Sequence, residues 1–409
     1  MPGELGSMEG RETVTALLSG RADGIRAQNE RLILTMLRRF GPMARAEIAR
    51  RTGLSAQTMS VIMRALEEDG LILRGAPVRG KVGQPLIPMH LAGDGALFFG
   101  LKVGRRSCEM VLTNFLGDVI ARRVQVHSHP TPERTIAFAV EAFAALRNGL
   151  SATARGRIAG LGIAIPFQLW SWAEPLGVDP AEMEPWRQTD LLSLLAQELA
   201  VPVYLQNDAT AACGAELVFG AEDTPPDFLY FYVGYFIGGG LVLNDRLHTG
   251  PTGNAAALGS MPVPSPDGQR QLIDVASLSG LERQLVQRGV AAQELWLNPE
   301  LWYTDPPLLA RWIEDAAAGI AFAITAAASV IEVPCVLIDG SFPPRLRSDL
   351  TAAVRTALDR MSFLGLDRPD LREGTVGASA RALGAAALPL SEQFLMDLPP
   401  DLTPGNGAA

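Results

Sequence analysis

The stretch LQNDATAACGAE, residues 205–216, places Asp208 among small and neutral side chains, with Glu216 at its far end. An acid so placed has two chemical uses: it takes a proton from a substrate hydroxyl as a general base, or it accepts a hydrogen bond from a ligand hydroxyl without reaction. A third use is structural, because a carboxylate at the head of a helix caps it. Asn207 beside it adds an amide that both donates and accepts. Other groups able to do chemistry are scattered. Cys108, Cys213 and Cys335 lie far apart in apolar surroundings. A zinc site would cluster them and a disulfide framework would use more, so they read as buried, reduced packing residues. His127 and His129 form the one close histidine pair, before Pro130, and read as a solvated turn rather than a metal site.

The elements that position these residues belong to a chain of 409 residues, long enough for two or three domains. Hydrophobic residues at 48% and charged residues at 19% are ordinary for a soluble globular protein. No apolar run approaches the roughly 20 residues of a membrane span. The opening MPGELGSMEGRETV lacks the basic-then-apolar order of a signal peptide. The cytoplasm is therefore the expected compartment. The net charge of −9 conceals an asymmetry: residues 21–91 carry twelve Arg/Lys against six Asp/Glu, whereas residues 92–409 carry 22 against 35. A small basic module ahead of an acidic body points to a polyanion partner for the module alone.

Within that module, QNERLILTMLRRF sets Leu32, Ile33, Met36 and Leu37 on one helical face, and Gly41-Pro42 ends it. RAEIARRTG reads as a short second helix closed by Gly53, and a third starts with Ser55 as N-cap. Two helices joined by a TGLS turn are the helix-turn-helix arrangement, whose second helix reaches base edges with its first residues. Ser55, Gln57, Thr58, Ser60 and Arg64 are the candidate readers there, with Arg45 and Arg51 nearer the phosphates. LILRGAPVRGKVGQPLIPMHL then reads as strand, turn and strand, a wing whose tip offers Arg79, Lys81 and Gln84. Cations on such a tip suit the negative potential of a minor groove. The plainer alternative is a helical packing module with a solvated basic face; turn, charge and wing together favour DNA.

In the acidic body, VGRRSCEMVLTN (103–114) and VGYFIGGGLVLN (233–244) share a Val-Gly start and a turn Asn at equal spacing. Both read as hairpins followed later by helices and another strand, RIAGLGIAIP in one half and VPCVLIDGS in the other. Such a repeat implies two α/β lobes, with a small-molecule site expected in a cleft between them.

With these segments in order, and with PVYLQNDATAACGAE, GPTGNAAALGSMPV and VGASARALGAA, residues 26–393 resemble the transcriptional-regulator branch of the ROK family (repressors, open reading frames and sugar kinases). The resemblance implies an α/β chain: a winged helix-turn-helix followed by a two-lobed, actin-like sugar-kinase (ribonuclease H-like) ATPase fold. The expected domains are a DNA-binding domain at 21–92, a first lobe at 97–215, a second at 216–393 and a flexible tail at 394–409. Function is expected as a repressor of carbohydrate-related genes, a homodimer or higher homo-oligomer on palindromic operator DNA that answers to a carbohydrate-like effector in the cleft.

Departures from the family decide the expected chemistry. Catalytic relatives open the first lobe with Asp-x-Gly-Gly-Thr-Lys; here GLKVGRRS puts Lys102 near the acid's place and arginines where Gly-Thr would stand. An ammonium cannot organise magnesium as a carboxylate does. Where the family carries its zinc cysteines the chain has PSPDGQRQ, with Pro264, Pro266 and Gln271 at the cysteine positions. Ala257 replaces the sugar-binding acid, and Ser260 the metal-binding histidine. No zinc, no cofactor and no catalytic residue is expected. Asn207 and Asp208 match the family's Asn-Asp pair, base in the kinases and hydroxyl acceptor in the regulators. Without the phosphate loop, Asp208 reads as a ligand-hydroxyl acceptor or a helix cap, and Asn207, Asp208 and Ser260 are the candidate ligand contacts. The alternatives are an ATP-dependent sugar kinase and an effector-independent DNA-binding dimer.

Overall fold

The computed structural model describes residues 25–78, 86–265 and 268–398. The first helix, Ile25–Phe40, stops at Gly41, whose φ of +71° suits glycine. β1 (Met43–Ala44) leads into the helix Arg45–Thr52, Gly53 turns left-handed at φ +66°, and the helix Ala56–Glu68 follows. β2 (Ile72–Arg74) and β3 (Pro88–Leu91) pair antiparallel, and β1 joins the other side of β3. Val78 and Leu86 pair across the base of the wing, while Arg79, Lys81 and Gln84 lie outside the described residues. The first helix buries Leu34 as well as the four expected residues. A second surface covers it: Met396 N–H donates to Thr35 Oγ1 at 3.0 Å and Arg31 Nε to Gln393 O at 3.0 Å.

The body contains two sheets with one strand order. The first is β6 (Val119–Val126), β5 (Ser107–Thr113), β4 (Leu97–Val103), β7 (Ile158–Ile165) and β8 (Val203–Asn207). The second is β11 (Arg246–Leu247), β10 (Ile237–Leu243), β9 (Phe228–Val233), β14 (Cys335–Gly340) and β15 (Asp370–Glu373). Between them in sequence, β12 (Pro262–Ser265) and β13 (Gly268–Gln271) form a separate ladder. In each large sheet three strands run as an antiparallel meander and two more join in parallel. The Val-Gly hairpins are the β4–β5 and β9–β10 turns, as the repeat predicts.

Two compact units result: of the described residues, 25–208 and 382–398 form one and 209–381 the other. The expected lobe limits at 215 and 393 are corrected by close packing at glycines. A Cβ on Gly162 of β7 would lie 1.8 Å from Ala385 O, so the helix Ala380–Phe394 returns to the first sheet. The helix Asp208–Phe219 packs on the second sheet, where Cβ atoms on Gly238 and Gly240 would strike Ala209 and Cys213. The expected tail also starts later than 394: Phe394 is helical and buried, and Leu398 is buried. All three cysteines are buried and free.

Candidate functional site

The helix Ala56–Glu68 divides cleanly by its 3.6-residue period. Met59, Ile62, Met63 and Leu66 are buried, while Gln57, Ser60, Val61 and Arg64 form an exposed stripe. Ser55 caps it: its Oγ accepts from Thr58 N–H at 3.1 Å and lies 2.9 Å from the Thr58 hydroxyl. Thr58 is thus half-buried and engaged, and the Ser60 hydroxyl donates to Ala56 O at 2.8 Å. Val61, half exposed at 52%, escaped the sequence reading, which sought polar readers. Its signal was the spacing alone, one turn from Gln57 and three residues from Arg64. A methyl-bearing side chain there suits the thymine methyl group.

The two arginines assigned to phosphates are held inside the module. Glu67 pairs with Arg45 and, at 2.8 Å, with Arg74; Glu47 holds Arg51 at 2.7 Å and Arg50 at 2.7 Å. The Arg51 guanidinium also lies 4.9 Å from the centre of the Phe40 ring. Two further arginines, absent from the sequence reading, fasten the module to the first lobe. Arg38 donates to Phe115 O and to Leu116 O at 3.2 Å, and Arg157 donates to Asp69 O. Burial pulls the Arg38 pKa down to about 10.

In the first lobe, parallel pairing aligns the carboxyl ends of β4, β7 and β8. Lys102 is registered with Ala164, Ala164 with Gln206, and Ile165 with Asn207. Asn207 and Asp208 therefore share one sheet edge with Lys102, the edge where open α/β sheets bind ligands. Asp208 is the first residue of its helix and half-buried, a place where a carboxylate also favours the helix dipole. Ser260 is exposed at the end of the short turn Leu258–Ser260, in the other compact unit.

Lys102 is 9% exposed and donates from Nζ to Ser107 Oγ at 2.8 Å. Arg105, 7% exposed, stacks its guanidinium 4.1 Å from the Trp172 ring centre. The His127–His129 pair is not the solvated turn expected from sequence. His127 Nε2 lies 2.9 Å from Gly104 O, and buried His129 lies 2.9 Å from Glu182 Oε2. The His127 ring is drawn in because β6 delivers it beside the β4–β5 turn. Among the described residues no group of three or more His, Cys, Asp and Glu could hold a metal ion, and no helix is long and apolar enough to cross a membrane. Where the resemblance implies zinc cysteines, Gln271 opens the helix Leu272–Ala276 in a capping box with Asp274, and Pro264 lies in the β12–β13 ladder; Pro266 is outside the described residues.

Comparison with known proteins meets this geometry at both ends of the chain. Residues 26–72 match the winged helix-turn-helix DNA-binding family, and residues 98–392 match the ROK family. The xylose repressor of Bacillus spizizenii is 24% identical over 58% of this chain and 61% of its own length, so the chain spans about three-fifths of that relative. The crystal structure of a ROK family transcriptional regulator, a homolog of the E. coli MLC protein, is similar with a TM-score of 0.66 at 19% identity, covering 92% of this chain and 97% of that one. A ROK hexokinase from Thermus thermophilus is similar with a TM-score of 0.51 at 25% identity, over 71% of this chain and 96% of its own. The fold is a winged helix-turn-helix followed by the actin-like sugar-kinase fold, a scaffold that carries regulators and kinases alike, so chemistry must be read from side chains. Matched across both sheets and most of its length, the chain belongs to the ROK family.

Proposed function

We propose that this protein is a cytoplasmic transcriptional repressor of carbohydrate-related genes, a homodimer that binds a palindromic operator and is released by a sugar-like effector. The observation that carries the DNA reading is the exposed stripe of Gln57, Ser60, Val61 and Arg64 on a helix capped by Ser55. Gln57 and Arg64 have the donor–acceptor sets for adenine and guanine edges, and Val61 meets a thymine methyl. A dimer doubles the short contact of one helix across two half-sites. Arg45 and Arg51 exchange part of their pairing with Glu67 and Glu47 for phosphate contacts, with Arg79, Lys81 and Gln84 on the wing.

Asn207 and Asp208 supply the hydroxyl-binding end of the effector site. Catalysis is not proposed. Lys102, where catalytic relatives carry an acid, adds a positive charge where a magnesium–nucleotide complex would need a negative one.

Operator fluorescence anisotropy with and without sugars tests the reading. Gln57→Ala should shift base preference by about 1–3 kcal/mol at one position of each half-site. Asp208→Ala should keep operator affinity but weaken effector-driven release by roughly ten- to a hundredfold. ADP release from ATP and a hexose, abolished by Asp208→Asn, would replace the repressor reading with the kinase one.

A further inference from the structure

The turn that ends the helix Ala380–Phe394 touches three parts of the first compact unit. The Gln393 side-chain amide straddles two strands: Nε2 donates to Ala159 O on β7 at 2.9 Å and to the Tyr204 hydroxyl on β8 at 3.3 Å. Both of its protons are then spent. The backbone of the same turn faces the DNA-binding module. Gln393 O accepts from Arg31 Nε at 3.0 Å, and Glu392 O accepts from the same guanidinium. One helical turn beyond Arg31, Thr35 Oγ1 accepts from Met396 N–H at 3.0 Å. Phe394 anchors the turn by meeting Phe98 and Phe115 edge-on, with ring centres 5.6 and 5.1 Å away. Tyr204 stands three residues before Asn207, about 10 Å along a stiff strand. It is registered with Gly162 of β7, so a slide of β8 against β7 cannot be followed by both Gln393 bonds. The fastenings made by Arg38 to Phe115 O and Leu116 O, and by Arg157 to Asp69 O, involve no residue of β8.

We propose that residues 392–396 are a strap that seats the DNA-binding module for operator binding, and that Gln393 is the positioning residue through which β8 loosens it. This rests on the effector reading above and adds the route by which it reaches the DNA. Effector hydroxyls drawing on Asn207 and Asp208 shift β8 at its carboxyl end. Gln393 then gives up one of its two strands, its turn moves, and the carbonyls that hold Arg31 move with it. The first helix loses that hold, and the recognition helices of a dimer lose the fixed spacing that two half-sites require. By linkage, the effector favours the loosened state by the same factor as the operator favours the seated one. Effector and operator thus oppose each other without sharing a residue.

The test follows hydrogen exchange of the first helix in the full-length protein, beside anisotropy on an operator duplex selected with the parent protein from random sequences. Gln393→Ala removes both amide bonds and leaves the Gln393 carbonyl in place. It should speed exchange over residues 25–40 and weaken operator binding, each by about three- to tenfold. Tyr204→Phe removes one hydroxyl on β8 and should do the same by about two- to fivefold. Arg31→Met cuts the strap at its other end, and adding either variant to it should change neither reading further. Tyr204→Phe decides the matter if Gln393→Ala does not fold. Additive losses, or first-helix exchange unchanged in Tyr204→Phe, would overturn the strap. Glucose, ribose and sorbitol serve as effector probes. A probe that releases the parent from the operator should speed first-helix exchange in the parent and no further in Gln393→Ala. Release without any change in that exchange would also overturn the proposal. If none of the three releases the operator, the effector reading fails, and the non-additive losses still carry the strap.

Discussion

The two lobes repeat one strand order yet treat charge at matching rungs in opposite ways. One residue before the Val-Gly turn, the first lobe sets Lys102 beside Ala164, and the second sets Tyr232 beside Asp339. Asp339 is wholly buried with its acceptor capacity filled. Arg347 and Gly340 N–H donate to Oδ1 at 2.9 and 2.8 Å, and Tyr230 O–H and Gly377 N–H to Oδ2 at 3.0 and 2.9 Å. Lys102 donates from Nζ to the Ser107 hydroxyl. The turns that follow differ in the same sense: Arg105 and Arg106 in one lobe, Tyr235 and Phe236 packed edge-to-face at 4.8 Å in the other. A duplicated scaffold thus divides labour. One copy closes a polar network on a buried carboxylate, and the other sets its cations at the carboxyl end of β4.

The contrast is broken most forcefully at Asp339. Asp339→Ala leaves buried Tyr230 without its acceptor and half-buried Arg347 with Glu373 alone, and should cost about 3–5 kcal/mol in urea unfolding. Lys102→Met, which keeps length and removes charge, should change stability by less than about 1.5 kcal/mol. Equal losses would show that Lys102 is as structural as Asp339 and end the division. A smaller change sharpens the same point. Tyr230→Phe removes one hydrogen bond to a charged acceptor and should cost about 1.5–3 kcal/mol. The Tyr230 hydroxyl is held protonated by burial first and by Asp339 second, so this loss should not vary across neutral pH.

How much of this was legible depends on which force set each feature. The winged helix was readable because its elements obey local rules: Gly41 and Gly53 stop helices, Ser55 starts one, and apolar spacing marks the buried faces. The twin hairpins were readable for the same reason. The return of Ala380–Phe394 to the first sheet was not, since it depends on Gly100 and Gly162 admitting a helix backbone far away in sequence. Nor was the Asp339 network, whose donors come from β9, β14 and two later segments. In the candidate site, Asn207 and Asp208 stood out by type. Lys102, Arg105 and Arg106 stood out only as departures from a pattern, and their burial and shared sheet edge with Asp208 needed the strand register. Arg45 and Arg51 were placed by charge alone, and charge does not reveal that Glu67 and Glu47 compete for them.

The smallest expected effect lies at His127, the group that reports whether the β4–β5 turn is electropositive. Its pKa is lowered from 6.5, foremost by burial, and also by Lys102, His129 and Arg134, against an opposing hydrogen bond to Gly104 O. Between that lowered value and 6.5 the unfolded chain binds a proton that the folded chain refuses, so stability is full above the window and falls as pH drops through it. His127→Gln removes the titration and should flatten the decline, seen as a smaller drop in urea midpoint between about pH 8 and pH 5.5. Tyr235→Phe in the matching turn of the second lobe should leave the decline as steep as in the parent protein. Repeating the His127 comparison in Lys102→Met isolates the neighbour's share: with that charge gone the decline should be shallower, because one like charge no longer opposes protonation. If Lys102→Met leaves the slope unchanged, the ammonium does not act on its neighbours through the turn, and the cationic character assigned to the first lobe loses its electrostatic basis.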